Sequence, residues 1–192
     1  MTTPPEQRQT TPGEGSAFRV IDDRTVWSGW RLRIAEVKVD GPDGEVLERQ
    51  VLHHPGAVAV LPLHEDGSVT LVRQYRVALD ADIWEIPAGL RDVAGEPPER
   101  TAERELVEEA GLSTAELRHL TTFNSSPGFS DEAVLIFVGT ELTEVPHDRQ
   151  GPEEQHMVVE RFPLETALTM VNDGRITDAK TVIALLLTAL RH

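Results

Sequence analysis

The sequence predicts an α/β or α+β chain: a mixed β-sheet sandwiched between helices, preceded by a small antiparallel β unit. Three observations carry this. Gly56-Ala57-Val58-Ala59-Val60-Leu61-Pro62-Leu63 is a near-continuous apolar run, the pattern of a strand covered on both faces. Between Pro98 and Ala110, Ala102, Leu106 and Ala110 fall on one helical stripe, and Gly111 stops the helix. From Phe18 to Leu52, short segments of strand character are broken by the turn signal Pro42-Asp43-Gly44.

The elements follow in order. Residues 1–16 are rich in Pro, Thr, Gln, Gly and Glu, bury too little apolar surface to order themselves, and are expected to form a loose tail. Residues 17–52 are expected to hold the antiparallel strands. Phe18–Ile21 is one; Trp30–Val39, with Trp30, Leu32 and Ile34 alternating onto one sheet face, is another; Val46–Val51 is its hairpin partner. Residues 53–192 form the main domain. After the apolar run, Glu65-Asp66-Gly67-Ser68 turns the chain into a strand from Val69 to Tyr75, and Ile83–Pro87 leads toward the helix at Pro98. Leu117–Phe123, Ala133–Gly139 and Val158–Phe162 read as further strands. Leu164–Asn172 and Ile176–Leu190 read as helices, the second presenting Ile183, Leu186, Leu187 and Leu190 on one side.

Composition narrows the function. Lys and Arg total 18 against 33 Asp and Glu in 192 residues, a formal charge of −15 that repels polyanions and argues against binding DNA or RNA. A phosphate substrate would therefore need metal. With no cysteine, disulfides, thiolate zinc and cysteine catalysis are excluded. No apolar run has the length of a membrane span and the polar start lacks a signal-peptide core, so a cytoplasmic protein with no membrane partner is expected.

The chemistry concentrates in Arg104-Glu105-Leu106-Val107-Glu108-Glu109-Ala110-Gly111. Glu105, Glu108 and Glu109 stand at i, i+3 and i+4 and leave one flank of a helix within about a turn of each other. Carboxylates so close repel unless a cation sits among them, and hard oxygen donors suit Mg²⁺ or Mn²⁺. The alternative is a solvated charged helix in which Arg104 and Glu108 make an ordinary i,i+4 pair.

The surrounding residues bear on that choice. With Gly89 in front, Glu96 eight residues before Arg104, and Gly111 at the end, the stretch resembles the Nudix box, GX5EX7REUXEEXGU with U aliphatic. It departs in one place, having six residues rather than five between Gly89 and Glu96. Three further segments, Val72-Arg73-Gln74-Tyr75-Arg76, Trp84-Glu85-Ile86-Pro87-Ala88-Gly89 and Ser125–Glu132, look like the ADP-ribose pyrophosphatase branch of the Nudix hydrolases. In that branch a proline about sixteen residues beyond the box marks the substrate class, and Pro127 lies sixteen after Gly111.

The resemblance implies the Nudix fold and a set of roles. Glu105, Glu108, Glu109 and the Ala88 carbonyl match metal-binding positions for Mg²⁺ (or Mn²⁺), with more than one ion. Arg104 matches the arginine that orients the glutamates, and Gly89 and Glu96 are supporting residues of the motif. Arg73, Arg76, Trp84, Glu85, Pro127 and Glu132 become substrate-pocket candidates. Simpler roles stand beside these: Arg73 and Arg76 as partners of surface carboxylates, Trp84 as core, Glu85 as a salt-bridge partner. A general base is also required, and in this branch it lies on a loop between late strands, here Pro146–Gln155. Glu154 is the first candidate and Glu153 the second, with Glu132 a weaker third; the alternative is that both loop glutamates merely face solvent. The implied reaction is hydrolysis of ADP-ribose to AMP and ribose 5-phosphate. Another nucleoside diphosphate sugar or derivative is the nearest alternative, and a non-catalytic nucleotide-sensing protein of the same fold is the other. A homodimer with exchanged N-terminal strands is implied as well.

Overall fold

The computed structural model describes residues 16–147 and 155–191, so all but the last residue of the expected tail lies outside the described residues. The chain forms two compact units. One contains the described residues up to Pro55 together with Asn124–Glu132; the other contains Gly56–Phe123 and the described residues from Ala133 onward.

In the first unit, strands β1 (Arg19–Ser28), β2 (Arg33–Asp40) and β3 (Val46–His53) make an antiparallel sheet in the order β1-β2-β3. The predicted turn closes β2 onto β3: Gly41 N–H donates to Glu45 O at 2.9 Å, and Gly44 takes φ +81, a conformation that favours glycine. The first hairpin differs from expectation. β1 runs to Ser28, and Trp30 and Leu32 lie in the turn before β2, not on a sheet face. Gly29 N–H donates to Leu32 O at 2.9 Å, which closes the turn there and leaves Trp30 87% exposed under the Arg31 guanidinium. The sheet instead buries Ala35 and Val37. Residues 129–131 join the end of β3 through a parallel bridge between Leu52 and Ser130, with Leu52 N–H donating to Phe129 O at 2.7 Å.

The second unit is built around β4 (Ala57–Pro62). It pairs in parallel with β9 (Ala133–Glu144) and antiparallel with β7 (Ala88–Leu90), and β8 (Leu112–Asn124) completes a mixed sheet ordered β7-β4-β9-β8. A second sheet has the order β10-β5-β6, from Val158–Pro163, Ser68–Arg76 and Ala81–Glu85. The described residues hold helices α1 (Pro98–Ala110), α2 (Leu164–Asn172) and α3 (Ala179–Ala189).

The apolar run of β4 is explained by cover on both faces. Val58 and Val60, with Leu135 and Phe137 of β9, pack against Ala102, Leu106 and Ala110 of α1. Ala59 and Leu61, with Val134, Ile136 and Val138, join Ala167 and Met170 of α2 and Ala184 and Leu185 of α3. Alternation along a strand sends successive side chains to opposite layers, and each large aliphatic so buried stabilises the fold by roughly 1.5–3 kcal/mol.

α3 is rotated from its expected setting. Thr181, Ala184, Leu185 and Thr188 are buried, whereas Leu186 is exposed and Leu190 is 81% exposed. Asp178 caps the helix and accepts from Thr181 N at 3.0 Å and Thr181 Oγ1 at 2.6 Å; Thr181 Oγ1 in turn accepts from Ile86 N at 2.8 Å. Satisfying a buried N–H outweighs turning one more leucine inward. Among the described residues no helix is long and apolar enough to cross a membrane.

Candidate active site

α1 begins after Pro97 with Pro98 at its first turn, where a missing N–H costs nothing, and ends on Gly111 at φ 64 and ψ 34. The buried face of this helix carries two of the glutamates. Glu105 and Glu109 lie there beside Ala102, Leu106 and Ala110, so the apolar stripe that seats α1 also carries two acids inward, which a solvated charged helix would not do.

Gly89 makes that burial possible. A Cβ on Gly89 would lie 1.9 Å from Glu105 Cδ and 2.0 Å from its Oε1, so only glycine lets the carboxylate lie against β7. Beyond this approach the loop turns before α1, where Glu96 N–H donates to Val93 O at 3.1 Å and Gly95 takes φ +79. Next to Gly89, Ala88 N–H donates to Glu109 Oε2 at 2.9 Å. Arg104 lies across the outer edge of the cluster. Its Nη1 is 2.8 Å from Glu105 Oε1 and 2.9 Å from Glu108 Oε2, and its Nη2 is 3.9 Å from Glu96 Oε2. Glu96 is fixed in turn by Thr101 Oγ1, which donates to it at 2.8 Å.

The electrostatics separate the glutamates. Burial pushes the Glu109 carboxyl up to about 8; the Ala88 N–H opposes this, the Glu105 charge adds to it, and the Arg76 charge opposes it. Glu105 and Glu108 share the Arg104 guanidinium, and among the described residues no three carboxylate or imidazole groups converge on one point. The donor set nevertheless fits a hard divalent cation. Its side-chain oxygens are carboxylates, and Glu109 is a buried carboxylate whose charged form a cation would favour. For all three glutamates to ligate, Glu105 and Glu108 must swing off Arg104.

The four pocket candidates of β5 and β6 fall on two faces. In the antiparallel register Arg73 opposes Trp84, with the guanidinium carbon 5.5 Å from the ring centroid, and Trp84 packs edge-on against Phe162 at 5.1 Å. Adjacent strand residues point oppositely, so Glu85 and Arg76 share the other face. There Arg76 Nε and Nη2 grip Glu85 Oε1 and Oε2, both at 2.6 Å, and Glu85 is 1% exposed. Burial pushes the Glu85 carboxyl up, but the Arg76 hydrogen bonds and the charges of Lys180 and Arg76 outweigh it and hold it below its ordinary value. Lys180, from the first turn of α3, contacts Glu85 Oε2 and, at 2.9 Å, Asp178 Oδ1.

Lys180, Asp178 and Thr181 are absent from the site as read in the sequence. The string Asp178-Ala179-Lys180-Thr181 does carry a helix-cap signal, but nothing in it points to Glu85, 95 residues earlier. Pro127 and Glu132 belong to the other compact unit. Pro127 is exposed in a turn; Glu132 accepts from Ser125 Oγ and lies 3.5 Å from His54 Nε2. Glu153 and Glu154 lie outside the described residues.

Comparison with known proteins identifies the class. The NUDIX domain matches residues 52–185, and the chain belongs to the Nudix hydrolases, which generally use divalent metal ions. It is 37% identical over 169 residues to an ADP-ribose pyrophosphatase of Mycobacterium tuberculosis, covering 88% of this chain and 82% of that one. It is 38% identical over 167 residues to an ADP-ribose pyrophosphatase of Bacillus subtilis, covering 87% and 90%. It is also 34% identical over 180 residues to a GDP-mannose pyrophosphatase of Klebsiella pneumoniae, covering 88% and 89%. A solved structure described as an ADP compounds hydrolase superposes with a TM-score of 0.78 over 91% of this chain and 93% of that one, at 23% identity, which establishes the shared fold. The mixed sheets, the helices and the three-stranded N-terminal sheet are the Nudix fold.

Proposed function

We propose that this Nudix hydrolase cleaves the diphosphate of ADP-ribose to AMP and ribose 5-phosphate. The observation that carries the substrate is the 37–38% identity to two ADP-ribose pyrophosphatases over nearly nine-tenths of the chain; Pro127, at the spacing that marks the same class, supports it. The GDP-mannose pyrophosphatase relative favours a second reading, a different nucleoside diphosphate sugar.

Glu105, Glu108, Glu109 and the Ala88 carbonyl are the proposed metal ligands, and Mg²⁺ is the proposed ion. When bound, such cations supply positive charge to the diphosphate oxygens and raise the acidity of nearby water. The chain's own groups do the rest. Arg104 neutralises Glu105 and Glu108 and keeps both carboxylates ionised beside the site. Arg76, held by Glu85, offers the outer edge of its guanidinium to phosphate oxygens. Glu154, or Glu153, accepts the proton of the attacking water. The fully exposed β1 supports pairing of two copies through their N-terminal strands, which light scattering on the purified protein would test.

The test of the reaction is direct. Purified protein with Mg²⁺ is incubated with ADP-ribose, GDP-mannose and other nucleoside diphosphate sugars, and the products are separated by ion-exchange chromatography. AMP with ribose 5-phosphate as the fastest-formed pair is expected. Faster cleavage of GDP-mannose would replace the substrate; no cleavage of any compound would favour a non-catalytic nucleotide-binding role.

A further inference from the structure

We propose that Lys180 is a positioning residue: pressed against the buried Glu85 carboxylate from the first turn of α3, it fixes the orientation in which Glu85 presents Arg76 to the substrate diphosphate. The inference rests on the role given above to Arg76 as a diphosphate ligand.

The geometry is a chain of alternating charge. Arg76 meets Glu85 side-on through Nε and Nη2, and Glu85 Oε2 is shared between Arg76 Nη2 and Lys180 Nζ. Lys180 is held in turn by Asp178 Oδ1 at 2.9 Å, while Asp178 Oδ2 takes both the N–H and the hydroxyl of Thr181. The Thr181 hydroxyl then accepts from Ile86 N at 2.8 Å, so the helix that carries Lys180 is tied to the residue following Glu85. Glu85, Lys180, Asp178 and Thr181 each have a partner on both sides, and Arg76 is the terminal charged member.

A merely stabilising role explains this less well. Glu85 already has a bidentate arginine, and a second, partly buried cation adds desolvation that an apolar side chain would avoid. What Lys180 adds is orientation. A carboxylate gripped only by Arg76 can tilt about its terminal torsion and let the guanidinium slide toward an end-on contact. With Oε2 also pinned from α3, the carboxylate plane is fixed and both oxygens face Nε and Nη2. Nε and Nη2 are then committed to Glu85 and Nη1 lies outside that contact, and Arg76 is 41% exposed although its partner is almost wholly buried. The arginine also lies within electrostatic reach of the α1 carboxylates, since its charge bears on Glu109.

The test is a double-mutant cycle on the full chain with Mg²⁺ and ADP-ribose, or with whichever nucleoside diphosphate sugar the unsubstituted protein cleaves. Lys180→Met is expected to raise KM about tenfold while kcat changes by less than about twofold, the signature of lost ground-state binding. Arg76→Ala should raise KM at least as much, and the double variant should be no worse than Arg76→Ala alone, because Lys180 acts through that arginine. Lys180→Arg should restore most of the loss. Wild-type KM in Lys180→Met, even with a lowered melting temperature, overturns the proposal, as does a double variant whose KM increase is the product of the two single increases. Should Lys180→Met fail to fold, Lys180→Gln is read the same way, and an unchanged KM there overturns it equally. If Arg76→Ala itself leaves KM unchanged, the diphosphate role of Arg76 is wrong and the proposal falls with it, an outcome distinct from failure of the Lys180 coupling alone.

Discussion

Gly89→Ala tests the seat of Glu105 without touching a charged group. The added methyl would sit 1.9 Å from Glu105 Cδ and 2.0 and 2.4 Å from its oxygens, well inside van der Waals contact, so one side must move. β7 is regular and Gly89 is not among the glycines at positive φ, so alanine suits the backbone there and the flexible glutamate moves instead. Swinging outward breaks its 2.8 Å contact with Arg104 and hydrates a carboxylate that was nearly buried. The first effect costs up to about 1.5–3 kcal/mol and the second offsets much of it, leaving a net loss of stability of about 1 kcal/mol. The functional loss should be larger. Displacing a proposed ligand by misplacing its support is expected to raise the Mg²⁺ concentration for half-maximal rate by about 10–100-fold. Initial rates across a Mg²⁺ titration, paired with thermal melts, measure both quantities. An unchanged Mg²⁺ dependence would show that Glu105 is no ligand, or that the approach of Gly89 to it is incidental.

Other expectations follow from the same geometry. Glu109→Gln should abolish turnover while keeping the melting temperature, because the amide oxygen can still accept from Ala88 N–H; near-normal rates in a product assay would remove Glu109 from the ligands. Glu154→Gln should lower kcat far more than it alters Mg²⁺ dependence, and a larger loss in Glu153→Gln would exchange the two roles. The Glu85 carboxyl is held below its ordinary value, so its stabilisation is fully present above pH 4.5 and is lost as pH falls through the lower folded value. Glu85→Gln, which leaves two partly exposed cations facing a neutral group, should therefore cost about 1–3 kcal/mol at neutral pH, and the gap to wild type should close in melts taken progressively below pH 4.5. Thr181→Ala should cost about 1–3 kcal/mol in denaturant unfolding by leaving the buried Ile86 N–H without its acceptor. A neutral result would mean that α3 shifts to satisfy it.

What the sequence discloses depends on how local the cause is. The acidic half of the candidate site is local: Glu105, Glu108 and Glu109 lie within about one turn of one helix, and Gly111 and Pro98 mark its ends, so spacing alone places the acids together. The double cover of β4 was legible for a similar reason, because a strand with no polar alternation has nowhere to face water. The Glu85 network was not legible, since its members are brought together across 95 residues by the docking of α3. Hydrophobicity misdirected the reading of that helix: Leu186 and Leu190 outrank Thr181 on any apolar scale, yet Thr181 is buried because Ile86 N–H needs an acceptor. At Trp30 the error was one of period. Trp30, Leu32 and Ile34 alternate in sequence, but a turn from Gly29 to Leu32 takes the first two out of the strand.

The site also distinguishes its carboxylates in a way that spacing cannot. Glu105 and Glu108 lie against Arg104, and Glu85 against Arg76 and Lys180, so each of these acids already has a guanidinium or ammonium partner. Glu109 is at least as buried as either of its helical neighbours, yet the hydrogen bond it accepts comes from the neutral Ala88 N–H, and the Arg76 charge only partly opposes burial and Glu105. Burial disfavours the charged form of Glu109, and a neighbouring cation would favour it. Of the three glutamates it therefore stands to gain most from a divalent cation. Glu105 and Glu109 repel one another, so a cation held between them would relieve that repulsion, whereas Glu108 would give up a part-buried contact with Arg104. On this ordering, loss of Glu109 should weaken cation binding more than loss of Glu108, although the sequence motif treats the two alike.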